Sequence, residues 1–246
     1  MMKLFEMFFK KLFIAICMVL SPFCLNSQSL SAEIWDYPVK PGTEEWNLLK
    51  THYEMIKVCQ IPESIITNTP SLDLLNICLN YPLFGDIFAA NSLQEGMTSI
   101  HESFNGISEF MNRVDCINEL QNRYAKEPVL KELTDSEVDY FRLLYLEMLI
   151  NQKILLDFDK TFIPEMLILA RDKIIEKQNS KYCNSVFYQS SSAIIIAGLL
   201  YNTDYRNEID NNDELKSILD SGIISNQSTI ENLIEITDKY LNSYEN

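Results

Sequence analysis

Apolar residues along this chain recur at intervals of three and four, the spacing that gathers them on one face of a helix. Trp46, Leu49, Tyr53 and Ile56 form the first such face. Pro62, Pro70 and Pro82 each precede a short apolar segment, at a helix start where the missing N–H costs nothing. After Pro70, Leu72, Leu75, Cys78 and Leu79 share a face; after Pro82 come Phe84, Ile87 and Phe88. Ser92-Leu-Gln-Glu95, Thr134-Asp-Ser-Glu137 and Ser228-Thr-Ile-Glu231 read as capping boxes, in which the hydroxyl and the carboxylate satisfy free amides reciprocally. The second opens a long helix with Val138, Phe141, Leu144, Tyr145, Met148 and Gln152 along one side. The third opens the last helix, with Ile230, Leu233, Ile234, Thr237 and Leu241 inward. Further helices are expected over residues 107–125, 164–177, 184–201 and 212–219, with Gly222 as a C-terminal stop.

No stretch alternates with period two for long enough to require a strand. Glycine is scarce, six in 246 residues, which disfavours turn-rich β-sandwiches and phosphate-cradling loops. The pattern predicts an all-α fold of about nine or ten helices, an irregular multi-helix bundle or a short α-solenoid. No fixed repeat is found. Residues 32–246 read as a single domain. Pro38 and Pro41 keep residues 32–43 as an extended arm, and Thr43 caps a helix whose first turn holds Glu44 and Glu45. Residues 202–213 are the most polar stretch and are expected to form a mobile loop. Residues 193–201, the longest apolar run after the N-terminal segment, read as a buried helix, with Ser190-Ser-Ser192 packing tightly ahead of it.

The N-terminus changes the picture from a helical domain to an exported one. Lys3, Lys10 and Lys11 precede an apolar run over residues 12–20, then Ser21, Pro22 and small or polar residues. That is the layout of a secretory signal peptide over residues 1–31, with cleavage near Leu30 or Ala32. Cys17 and Cys24 lack the small preceding residue that lipidation requires, and an uncleaved anchor is the other alternative. Losing Lys3, Lys10, Lys11 and Glu6 leaves 17 basic and 34 acidic residues, a net charge of −17. So acidic a chain repels phosphate backbones and anionic headgroups, which disfavours nucleic-acid and membrane-surface partners. No later segment is long enough to span a membrane, and the expected location is the periplasm or surface of a Gram-negative cell.

Four cysteines follow the leader. Cys59 and Cys78 lie near the ends of successive predicted helices and are the candidate disulfide, while the favoured reading makes all four small buried apolar residues. No cysteine–histidine cluster implies a metal, and no cofactor motif is present. His52 and His101 are the only histidines. His101-Glu102 could serve a site with Ser103 or Cys116 but reads as part of a half-exposed helix. Trp35, Tyr37 and Trp46 could form a sugar or peptide platform, or pack the arm onto the first helix.

The sharpest chemical motif is Ile154-Leu-Leu-Asp157-Phe-Asp159-Lys-Thr161, which resembles the first motif of haloacid-dehalogenase-type phosphatases. That resemblance implies a Mg²⁺-dependent phosphohydrolase with Asp157 as nucleophile and Asp159 as acid and base, on a buried parallel strand. The helical face Phe141, Tyr145, Met148, Gln152, Leu155 runs through it unbroken, which predicts a helix end instead.

The run Trp35-Asp-Tyr-Pro-Val-Lys-Pro-Gly-Thr-Glu-Glu-Trp46 is similar to the start of a family of exported, uncharacterised helical proteins of Bacteroides-type gut bacteria. Cys59-Gln-Ile-Pro62, Cys78-Leu-Asn-Tyr-Pro-Leu83 and Asn91-Ser-Leu-Gln-Glu-Gly96 resemble it too. The resemblance implies export and a helical fold, and carries no activity. The leading expectation is a non-enzymatic binding or scaffolding protein with a peptide or protein ligand, held in a groove lined by Tyr and Phe and rimmed by acids. The alternatives are the phosphohydrolase and a structural component of the cell envelope. The sequence implies no oligomeric state.

Overall fold

The computed structural model describes residues 35–129 and 137–244. The signal peptide expected over residues 1–31 and the capping residue Thr134 lie outside them. The architecture is all-α, and no strand occurs among the described residues. Thirteen α-helices and two 3-10 turns occur there, more than the nine or ten expected.

The excess comes from short breaks inside stretches that the pattern reads as continuous. The first face is cut in two, α1 (Glu44–Leu48) and α2 (His52–Val58). Thr51 breaks it by closing a capping box: its hydroxyl accepts from the Glu54 amide, and the Glu54 carboxylate accepts from the Thr51 amide. The break turns Tyr53 outward, 74 % exposed. Thr43 caps α1 as expected. α3 (Glu63–Ile66) and α4 (Ser71–Leu79) start after Pro62 and Pro70. Pro82 leads into the 3-10 turn Phe84–Ala89.

α5 (Leu93–Ser103) begins at Ser92, whose hydroxyl accepts from the Glu95 amide; the Glu95 carboxylate takes the Asn91 amide instead of completing the box. The stretch 107–125 is split into α6 (Asn105–Asn112) and α7 (Cys116–Lys126). The long helix is α8 (Glu137–Leu156), followed by the 3-10 turn Lys160–Phe162 and α9 (Ile163–Gln178). α10 (Val186–Tyr201) is buried on every side from Gln189 to Leu200, the expected burial of that apolar run.

α11 (Arg206–Asp210) corrects the expected loop at 202–213, and α12 (Asp213–Ser221) stops at Gly222 with a left-handed φ of 66°. The last helix, α13 (Gln227–Tyr244), starts one residue before the expected cap. Asn226 takes that role, its side-chain oxygen accepting from the Thr229 amide.

α10 is the axis of the packing, touching α8, α9, α11, α12 and α13. A helix apolar around its whole circumference gains most from such a central place. The N-terminal half packs through α5, α6 and α7 onto the same core, with α5 pressed on the 3-10 turn Phe84–Ala89. A Cβ on Gly96 would meet the Ile87 carbonyl oxygen at 2.2 Å, so that approach requires glycine. Among the described residues, no helix is long and apolar enough to cross a membrane.

Candidate functional site

Four helices converge on one buried carboxylate. Glu147 of α8 is fully buried and sits on the same stripe as Leu143 and Leu144. Its Oε1 accepts from Tyr124 of α7 at 2.9 Å and from Lys177 of α9 at 2.8 Å; its Oε2 accepts from Lys177 at 2.7 Å. Ser191 and Ser192 of α10 donate to the same carboxylate. The Lys177 ammonium also donates to Ser192 Oγ at 2.8 Å. Burial pulls the Lys177 ammonium below its ordinary range, against the opposing pull of the Glu147 charge. The Tyr124 hydroxyl is pushed well above its range by burial and by the same charge. Next to it, Lys173 donates to the Glu127 carbonyl at 2.6 Å and lies 5.9 Å from the Tyr124 ring centre.

Lysine beside serine is a known nucleophile–base pairing. Here Ser192 is fully buried, its hydroxyl donates to Glu147, and the Lys177 ammonium is committed to both carboxylate oxygens. The cluster is built to hold helices, with each charge met by its opposite.

The residues singled out from sequence fall apart in space or into the core. Tyr37 is buried, donates its hydroxyl to the Ile77 carbonyl at 3.0 Å, and packs near Tyr81 and Phe104. That removes it from any open platform. Trp35 meets Tyr37 edge-on at 4.9 Å, and Trp46 is half-buried against the core. Cys59 and Cys78 are separate, buried thiols, so the candidate disulfide is not formed; Cys116 and Cys183 are buried as well. Burial raises the Cys59 thiol to about 11 and the Cys116 thiol to about 12.

Ile154 to Leu156 are the last turn of α8, not the strand that the phosphatase motif needs. Asp157 follows the helix end and is exposed. Asp159 caps the next turn, accepting from the Thr161 amide at 2.9 Å and its hydroxyl at 2.8 Å, and those bonds hold its carboxyl below the usual range. No cluster of three or more His, Cys, Asp or Glu among the described residues could hold a metal ion. His101 is half-buried, with Nδ1 3.3 Å from Gln152 Nε2, and burial lowers its pKa. His52 Nε2 lies 3.1 Å from Asp86 at the mouth of a cavity of about 510 Å³ whose floor includes Ile56 and Ile100.

One of the openings is a groove of about 400 Å³. One wall is the 3-10 turn and its exit, through Ile87, Phe88 and Leu93; the other is the non-helical stretch after Gly222, through Ile223 and Ile224. Val186 and Phe187, at the start of α10, close it. Phe88 is 43 % exposed, Phe187 49 % and Ile223 54 %. Three large apolar side chains on one rim are the mark of an interaction surface. The groove is lined by Phe and Ile, and not by the expected Tyr. Sequence signalled only part of it: the motif after Pro82 contains Phe88, but the inward half of that face cannot be told from the outward half by spacing alone.

Comparison of the chain with known protein families, with curated proteins and with solved structures finds no match.

Proposed function

We propose that this protein is an exported, non-enzymatic helical binding protein that holds a peptide or protein segment in the groove between Phe88, Phe187 and Ile223. The carrying observation is the convergence of these three exposed apolar side chains on one groove of about 400 Å³. Leaving such surface in water is unfavourable by roughly 25 cal/mol per Å², and a bound partner recovers that term. Export to the periplasm or cell surface rests on the N-terminal pattern of Lys3, Lys10, Lys11 and the following apolar run. Membership in the exported helical family of Bacteroides-type bacteria is part of the same proposal. No observation favours a phosphohydrolase or a structural envelope component.

The test is selection from a displayed random-peptide library on the purified protein, with Phe187→Asp as the counter-target. Peptides that bind the wild type and lose binding to the variant support the reading. Peptides that bind both equally, or none at all, overturn it. Export is checked by N-terminal sequencing of the native protein, which is expected to begin near Leu30 or Ala32.

A further inference from the structure

A separate cavity lies where the end of α8 meets α10, α11 and α12, and it shares no lining residue with the groove at Phe88. Its volume is about 340 Å³, the size of a small-molecule site. Ile154 and Leu155 of α8 and Leu219 of α12 form its apolar side. Leu155 is 57 % exposed, so apolar surface is left for a ligand to cover. Gly198 of α10 lines the same cavity. A Cβ there would come within 3.0 Å of Ile154 Cγ2, so glycine lets α8 approach and adds no side chain to the space.

Arg206 organises the polar side. Its guanidinium lies over the Tyr201 ring, 4.1 Å from the centroid, donates to the Tyr201 hydroxyl and pairs with Asp210 Oδ2 at 3.3 Å. Asn202 is anchored through its side-chain amide, which donates to the Gly198 carbonyl at 2.8 Å. Tyr201, Asn202, Asp210 and Lys216 all line the cavity. Among the described residues, the Tyr201 hydroxyl proton and the Lys216 ammonium remain available as donors, and Asn202 Oδ1 and Asp210 Oδ1 as acceptors. Lys216 and Asp210 carry opposite charges on one opening and do not pair with each other.

Opposite charges held apart in this way complement a ligand that carries both signs. The surrounding field disfavours simpler ligands. Asp157, Asp204, Asp213 and Glu214 stand on the segments around the cavity, and the whole chain has a net charge of −15. That field opposes a ligand of net negative charge, while Arg206 and Lys216 beside Asp210 oppose a simple cation. A zwitterion has no net charge and meets neither penalty.

We infer that this cavity binds a free α-amino acid with an apolar side chain. Lys216 and the Tyr201 hydroxyl take its carboxylate, Asp210 and Asn202 take its ammonium, and its side chain lies against Leu155 and Leu219. The site is independent of the peptide groove, and either assignment stands without the other.

The probes are leucine, methionine and phenylalanine, titrated by calorimetry into the purified protein up to about 10 mM. Saturable binding of at least one is expected. Glycine, which lacks the apolar side chain, should bind about tenfold more weakly or worse. The N-acetyl and the amide forms of the bound amino acid each lack one charge and should weaken by a similar factor. Lys216→Gln and Asp210→Asn replace exposed side chains, so the free variants should melt with the wild type while each loses about tenfold in affinity. Phe187→Asp, in the groove, should leave amino-acid binding unchanged. No saturation by any of the three amino acids overturns the inference. Undiminished binding to Lys216→Gln or to Asp210→Asn overturns it as well. Equal binding of the N-acetyl or the amide form overturns recognition of a zwitterion.

Discussion

Lys177 donates to both carboxylate oxygens of Glu147, at 2.8 and 2.7 Å, with both side chains out of contact with solvent. Desolvating two ions is expensive, and their attraction repays it only where the remaining hydrogen bonds are made. They are made here: Tyr124, Ser191 and Ser192 complete the carboxylate, and Ser192 completes the ammonium. The pair joins α8 to α9, and its satellites bring in α7 and α10.

Breaking this pair from one side strands the other charge. Glu147→Ala or Lys177→Ala is expected to destabilise the protein by about 3–5 kcal/mol, measured by urea unfolding. The double replacement Glu147→Leu with Lys177→Met should recover most of that loss, because no charge is left uncompensated. A double variant as unstable as the two losses combined would show that the network's shape, and not its charge balance, holds the helices.

Gly96 sets how closely α5 approaches the turn Phe84–Ala89, since an added Cβ would lie 2.2 Å from a backbone oxygen. Backbone cannot yield as a flexible side chain does. Gly96→Ala is expected to cost about 1–3 kcal/mol despite alanine's better helix propensity. Thermal unfolding checks this.

His101 gives a pH dependence of known sign. Burial lowers its pKa below the ordinary 6.5, while Glu102 pulls it back up and Gln152 lies against its ring. The unfolded chain therefore binds a proton at higher pH than the folded one does. Stability from this group is complete above about 6.5 and is lost as pH falls toward the folded value. The drop in melting temperature between pH 7.5 and 5.5 should be smaller in His101→Gln than in the wild type. An unchanged drop would assign the effect to other groups.

The thiols of Cys59, Cys78 and Cys116 are buried, and burial suppresses their thiolates. None of the three should react with a thiol reagent at pH 8 in the folded protein, and all three should react in denaturant. Peptide mapping after labelling resolves each position. Protection of only Cys59 and Cys78, persisting in denaturant without reductant, would instead reveal the disulfide between them.

The outward placement of the groove residues has its own consequence for stability. Phe187 and Ile223 are about half-exposed, so replacing either with Ser should change unfolding free energy by no more than about 0.5 kcal/mol. A cost several times larger would mean that these side chains serve the core rather than a ligand.

Local rules written in the sequence determined where most helices begin and end. Thr43, Pro62, Pro70, Ser92 and Gly222 act on their own backbone neighbours, so their effects are readable without any tertiary contact. The burial of α10 was equally legible, because a helix apolar on all sides has no face to give to water. The Thr51–Glu54 box was present in the sequence too, but it was masked by the apolar spacing that runs across it. Asn226 was likewise outweighed by a neighbouring Ser-x-x-Glu pattern.

Only the tertiary structure decided the rest. Glu147 continues the stripe of Leu143 and Leu144, and Lys177 that of Ala170 and Ile174, so each looks misplaced until the other is seen across the helix interface. Residues far apart in sequence become a single ionic cluster through packing, and periodicity within one helix cannot name a partner on another. The groove has the same origin. Phe88, Phe187 and Ile223 are far apart in sequence, and what leaves them exposed together is the packing of the 3-10 turn and of the stretch after Gly222 beside the start of α10.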